Sequence, residues 1–381
     1  MKKEIISSSV LDNSKSPGEF RCLWLIDSMS EICFQFDIHS DFWIDWDDGD
    51  EAEHIVNAQV IGVSERQHGS TRLERVPGDE ILLTIHHQYK NRLSAEPVSI
   101  SINGRITNWK AGSFNYCSYL ELKKYIDDDK EPCHLLSIEH FGPVGFGCMA
   151  FLNCRELTHL PEREKPDSRY LIDMGGMFYN AIKFNSQLNH WDVSQARNMC
   201  AMFYNAREFD QPLNGWNVSN VVNMSKMFCN AWNFDRRLDN WDVSQVTDMS
   251  GMFCGAEYFN HPLNCWDVSH VEDMSEMFYD AYDFNQPLSS WNVSNVKNMS
   301  GMFSWALRFN RPLNKWNVSN VENMSYMFWE ASRFNQPLHK WNVSNVKDIN
   351  GMFRGAIRFN RSLRQWKLHE GIEMSSAFRD I

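Results

Sequence analysis

The sequence predicts a repeat solenoid of mixed α/β character, with one short strand and one short helix per coil, preceded by a small all-β sandwich. Three observations predict it. Tryptophans recur every 25 residues at 191, 216, 241, 266, 291, 316, 341 and 366. Around each of them a fixed apolar frame divides into a segment with period two and a segment with helical spacing. Residues 20 to 112 lack that frame and carry alternating or continuous apolar runs between turn residues.

The frame explains each part of the unit. Met177-Phe178, Ala181, Phe184, Leu188, Trp191, Val193 and Ser194 are followed by Met202-Phe203, Ala206, Phe209, Leu213, Trp216, Val218 and Ser219. Met199, Met202, Phe203, Ala206 and Phe209 fall at helical spacing, which predicts a short helix. Trp191 and Val193 flank polar Asp192, which predicts a strand. Asn198, Asn223, Asp248, Asp273, Asn298, Asn323 and Asp348 stand just before the helical segment, as N-caps do. One unit cannot bury a tryptophan, two phenylalanines and two methionines alone, so neighbours must stack and share a core. Parallel strands at ~4.8 Å per coil would make eight coils roughly 40 Å long. Of 19 methionines, 16 occupy the two repeated positions from Met174 to Met374, which makes them core.

The flanks follow. Cys133 to Pro161, with Leu136, Ile138, Phe151, Cys154, Leu157 and Leu160, has the rhythm of a degenerate coil, followed by a polar insertion from Glu162. The last unit replaces Val-Ser by Leu368-His369 and the second methionine by Ala377, as a terminal repeat does. The expected organisation is a flexible terminus (1–19), a β domain (20–112), a linker (113–132) with the charged stretch Leu122 to Lys130, a capping coil (133–173), eight repeats (174–373) and a C-terminal cap (374–381). In the β domain the runs Leu23 to Ile26, Ile32 to Phe36, Ile81 to Ile85 and Val98 to Ile106 are the expected strands.

The spacing Leu188-x-x-Trp191-x-Val193 resembles the strand segment of leucine-rich repeats. The stretch Phe284 to Phe303 resembles the repeat of the BspA-like leucine-rich-repeat surface-protein family of bacteria, and the likeness runs from about 174 to 378. The resemblance implies a leucine-rich-repeat-like coil used for binding other macromolecules, adhesion being the commonest role. Phe42-Trp43-Ile44-Asp45-Trp46-Asp47-Asp48-Gly49-Asp50 resembles the Trp-Gly-Asp-Gly hairpin of polycystic-kidney-disease-type (PKD) immunoglobulin-like domains, with Asp47 in place of the first glycine and an enlarged loop over 54–80.

Charge and composition narrow the function. The net charge of −12 opposes nucleic acid and anionic membranes, so neither is an expected partner. No run of about 18 apolar residues predicts a membrane span, and the first twenty residues lack the apolar core, ~7 to 15 residues long, of a Sec signal peptide. The expected location is the cytoplasm, or the exterior by another secretion route. Ten scattered cysteines without metal spacing read as free thiols, with a disulfide between Cys229 and Cys254 as the alternative. Asp45, Asp47, Asp48 and Asp50 could form a calcium loop, but Gly49 comes one place early and Val56 stands where a glutamate is needed, which favours a hairpin turn. His86-His87 lacks companions at zinc spacing. The Asn-x-Ser sequons at Asn217, Asn223 and equivalent positions follow from the repeat itself. No catalytic constellation and no cofactor motif emerge, so the expected function is a non-enzymatic protein-binding scaffold, with a bacterial surface adhesin or secreted host-directed effector as the alternative and an enzyme hidden in residues 20–132 as a second.

Positions that vary between repeats are the candidates for binding. Asp192, Asn217, Asp242, Asp267, Asn292, Asn317 and Asn342 form an outward polar ladder. The position just before the recurring Phe-Asn carries Arg308, Arg333 and Arg358 in succession, and Arg311, Arg361, Lys315 and Lys340 extend this basic end. The central coils carry Asp267, Glu272, Asp273, Glu276, Asp280 and Asp283. Stacked like charges are unfavourable, so the arginine column predicts a protein partner with an acidic surface; undirected drift of the repeats is the alternative.

Overall fold

A computed structural model describes residues 19–25, 31–37, 41–46, 52–56, 59–61, 69–75, 82–89, 97–111, 133, 135–141 and 144–378. The expected linker and the first 18 residues lie outside this set. The four apolar runs of the N-terminal region fall on β1 (Glu19–Leu25), β2 (Glu31–Asp37), β7 (Leu82–Tyr89) and β8 (Pro97–Ala111), apart from Ile26 and Ile81, which lie outside the described residues. Between them come β3 (Asp41–Asp45), β4 (Glu53–Val56), β5 (Gln59–Ile61) and β6 (Gly69–Arg75). The 15-residue β8 joins two antiparallel sets. Its first half lies between β1 (Cys22↔Ile100) and β3 (Ile44↔Ile102), with β4 and β5 beyond β3. Its end meets β2 (Phe34↔Ala111), which continues to β7 and β6. Trp24, Phe36, Ile44, Trp46 and Ile100 from both sets enter one core. The buried Trp46 indole donates to Glu53 Oε2 at 2.8 Å, closing the β3–β4 hairpin.

Residues 133–146, grouped by sequence with the capping coil, also extend this β region. β9 (Leu135–His140) pairs antiparallel with β1, and β10 (Val144–Phe146) runs parallel to β8. Ser137 bridges His159 in parallel, and Leu135, Ile138, Phe141 and Phe146 are fully buried. The apolar core therefore passes without a break from Trp24 to Trp366.

From Met149 onward the chain forms coils that bond to one another in register. The amides of Met199, Ala201, Phe203 and Asn205 donate to the carbonyls of Asn223, Ser225, Met227 and Cys229 at 2.7–2.9 Å, and the same set recurs 25 residues later. The first coil is longer: Asn180 reaches Asn153 across 27 residues, whereas Asn205 reaches Asn180 across 25. Asp173 already bridges Asn198. The extra residues thus lie before Asp173, where the sequence has its polar insertion.

The structure differs from the expected strand and helix in each unit. Parallel bridging is confined to single residues of the Asn/Asp column, from Asp173 through Asn198 and Asn223 to Asp348, and Trp191 and Val193 are not in a strand. The segment expected to be helical is a chain of tight turns. Met202 bonds back to Met199, Tyr204 to Ala201 and Ala206 to Phe203, while the intervening amides go to the next coil. Ala201 (φ 51°) and Asn205 (φ 56°) are left-handed, and so are their equivalents in later coils, which ends any helix after one turn. The Asn/Asp side chains do accept the amide two residues on, as Asn223 Oδ1 does from Ser225 at 2.8 Å, but they cap turns.

The left-handed sites carry a prediction. Gly351 (φ +60°) fills the position of Ala201, and a Cβ there would lie 2.6 Å from the Tyr326 ring. Gly351→Ala should destabilise by ~1–2 kcal/mol, the left-handed penalty, with the ring displacement on top. Glu276→Gly, at the same position with φ 55°, should be neutral or stabilising. Thermal midpoints of the two variants check this; equal losses would contradict it.

Inside the stack each shared side chain lies on its copy. Trp216 and Trp241 stack at 6.5 Å, Phe203 and Phe228 at 5.5 Å, and Phe203 packs on Phe209 at 4.1 Å within its coil. Each indole from Trp216 to Trp366 donates to the leucine carbonyl of the preceding coil, as Trp266 does to Leu238 at 2.9 Å. A buried Trp needs such a partner, and the repeat supplies one for each new coil. At the C-terminal end Met374–Phe378 forms a 3-10 turn that takes bonds from Gly351 and Phe353 and places Phe378 on Phe353 at 5.4 Å.

Candidate binding surface

The polar ladder has a local task. Asp192, Asn217, Asp242, Asp267, Asn292, Asn317 and Asn342 are all exposed. Each accepts the amide of the serine two residues on, at 3.0–3.3 Å. These are Asx turns, and the residue type is what such a turn requires. The Ser194 hydroxyl and amide hold the Asp192 carboxyl below the usual carboxylate range, and Ser269 does the same for Asp267.

The basic residues divide. Arg311 Nε donates to the Asn285 carbonyl at 2.7 Å and Arg361 Nε to that of Asn335 at 3.0 Å, so both tie one coil to the previous one. Gln286 and Gln336 make the same tie at equivalent positions. Arg308 pairs with Asp283 at 2.9 Å and lies 5.3 Å from the centre of the Tyr282 ring. Arg333 and Arg358 are exposed, and neither forms an ion pair among the described residues. Lys315 and Lys340 are exposed as well.

Another column handles the same stacking problem differently. Glu272, Lys297, Glu322 and Lys347 alternate in sign along consecutive coils, with pairs at 2.6 and 2.7 Å. Glu272 raises the Lys297 pKa, and Lys347 lowers that of Glu322. Glu272, Lys297 and Glu322, with Thr247, His270, Asn295 and Asn320, line a shallow polar groove of about 430 Å³. The charges there are neutralised within the chain, whereas in the arginine column only Arg308 has an ion-pair partner among the described residues.

The variable edge has a second feature, of which the sequence pattern marks only Tyr258, at the position before the recurring Phe-Asn. Trp232, Tyr258, Tyr282 and Trp305 are 38%, 53%, 43% and 37% exposed. All four stand off the shared aromatic frame. That departure from the frame was the available signal.

Cysteines on this side are thiols. Cys229 and Cys254 are equivalent residues of consecutive coils, and both are free. A hydrogen bond from Cys229 and burial raise the Cys254 pKa well above the ordinary thiol range. Cys265 is exposed. Brief alkylation of the native protein should therefore modify Cys265 before Cys229 or Cys254, as peptide mass spectrometry would report. Cys254 reacting first would contradict this.

Asp45 is exposed, whereas Asp47, Asp48 and Asp50 and the side chains of His86 and His87 lie outside the described residues. Among the described residues no three His, Cys, Asp or Glu side chains come together as a metal site would require, and no helix is long and apolar enough to cross a membrane.

Periodic bonding and a recurring aromatic frame define a repeat protein with a 25-residue unit. The chain belongs to the family described as "Mycoplasma protein of unknown function, DUF285", which matches residues 149–264, 231–331 and 289–381 and so covers more than half of it. The first match opens at Met149, where coil-to-coil bonding begins. No curated protein and no solved structure matches the chain.

Proposed function

We propose that this chain is a non-enzymatic binding scaffold, a leucine-rich-repeat-like solenoid preceded by an immunoglobulin-like β region of the PKD kind, that holds a protein partner on its variable edge. The observation that carries this reading is the contrast between two charged columns. Glu272, Lys297, Glu322 and Lys347 neutralise one another coil by coil. Arg308, Arg333 and Arg358 repeat one charge, and only Arg308 has an ion-pair partner among the described residues. Stacked like charges are unfavourable in the free protein and become favourable against an acidic surface. The Asx ladder has its turn to hold, so the edge with the arginines is the better binding face.

Affinity capture from host lysate tests this, with the wild type beside an Arg308→Glu/Arg333→Glu/Arg358→Glu variant of unchanged thermal midpoint. A protein retained by the wild type and lost by the variant supports the reading. Equal retention on both overturns the assignment to this edge.

A further inference from the structure

Between residues 174 and 373 every phenylalanine and eight of the tryptophans occupy the shared core positions. Every other tyrosine or tryptophan, from Tyr179 to Trp329, falls in one arc of the coil, the equivalents of residues 201–208. The columns on the remaining exposed faces, those of Asp192, Ser194 and Arg197, hold none. Exposed Trp and Tyr gathered with Arg on one edge have the composition of the centre of a protein interface.

The charges of the same arc are separated along the stack. Glu257, Glu276, Asp280 and Asp283 lie on two consecutive coils, and Arg308, Arg333, Arg354 and Arg358 on the next three, which have Glu330 as their one acid in the arc. Asp283 and Arg308 meet at the boundary, 2.9 Å apart. Over the two coils on each side of this boundary the edge is acidic on one side and basic on the other, and so complementary to itself when turned end over end; Lys226, one coil further out, lies outside that charge pattern.

We propose that the arc is a self-complementary interface, on which a second copy of this chain docks antiparallel about a two-fold axis between the coils of Asp283 and Arg308. Resting on the scaffold reading above, it names the occupant of that edge. Two-fold symmetry requires that if one residue meets a second, the second meets the first. The coil of Asp283 then faces that of Arg308, and the coil of Glu257 faces that of Arg333. Tyr282 falls opposite Trp305 and Tyr258 opposite Trp329, which puts aromatic anchors near the axis. Trp232 faces the coil of Ile357, whose side chain is 83% exposed. Six coils at ~4.8 Å make a strip about 29 Å long, and we expect a weak, concentration-dependent dimer.

Sedimentation equilibrium of the full chain over a wide concentration range tests the proposal. The wild type should pass from monomer to twice that mass as concentration rises. Arg333→Glu and Glu257→Lys should each remain monomeric with unchanged thermal midpoints. Mixed in equal amounts, the two variants should recover the doubled mass, because each restores the opposite charge for the other. A wild type monomeric throughout would overturn self-docking, and capture of a lysate protein lost by Arg333→Glu would then assign the edge to a foreign acidic partner, leaving the scaffold reading in place. A dimer that survives Arg333→Glu would place the contact elsewhere and also overturn the proposal.

Discussion

Removal of residues 249–273 should leave a protein that still unfolds cooperatively, whereas removal of residues 249–260 should leave none. The first deletion takes out one whole unit and joins Asp248 to Met274, the same dipeptide step as Asp248-Met249. The Met224 amide keeps the Asp248 carbonyl, that of Lys226 finds Ser275 in place of Ser250, and each aromatic column closes on the next copy of itself. A stacked array loses one interface and keeps the rest, so its midpoint falls only modestly. The second deletion moves every later core residue out of phase with the coil before it. Leu263 would no longer lie over Leu238, Phe234 would lose the Phe259 ring that stacks on it, and the indole of Trp266 would lose the Leu238 carbonyl. Circular dichroism during thermal unfolding reads the difference, and equal tolerance of both deletions would contradict a register of 25.

Trp266→Ala should cost more than any surface substitution proposed above, at about 3–5 kcal/mol for a large aromatic removed from a packed core. Trp266 is 3% exposed, stacks on Trp241 at 6.4 Å and lies 6.3 Å from Phe253. Its loss leaves a cavity bounded by neighbours that are themselves fixed by the stack, so the site has little room to collapse. It also leaves the Leu238 carbonyl without its indole donor. Trp266→Phe keeps most of the volume and should cost distinctly less. Urea midpoints decide, and an unchanged midpoint for Trp266→Ala would argue against a shared core.

The period, the core residues and the turn-capping column were legible because each depends on a position that every unit repeats. The helix was not. Met199, Met202, Phe203, Ala206 and Phe209 have the spacing of a helix face, but a chain of tight turns with left-handed residues at 201 and 205 brings the same five side chains inward. Glycine at 251, 255, 301, 351 and 355 hinted at those turns. Lys226, Glu276, Trp305 and Tyr326 at equivalent places hid them, since such residues seldom adopt a left-handed backbone. The polar ladder was readable as exposed, and the recurring Asn-Val-Ser as a turn, but alternation with Trp191 and Val193 also suggests a strand that the structure does not form. The pairing of β9 with β1 joins residues more than a hundred positions apart, and no local pattern encodes that.

The binding edge itself was half legible. Arg308, Arg333 and Arg358 stand out as a run of one charge, and the structure separates them from Arg311 and Arg361, whose guanidinium groups hold neighbouring coils together. The aromatic residues around them are evident only once the shared frame is subtracted.

Differential hydrogen exchange of the full chain, free and bound to its captured partner or second copy, tests the binding edge most directly. We expect slowed exchange in the turns around 229–233, 254–258, 279–283, 304–308 and 329–333, with the Asx turns at 192–194 and their equivalents unaffected. Protection confined to the Asx turns, with the arginine and aromatic edge unchanged, would contradict it.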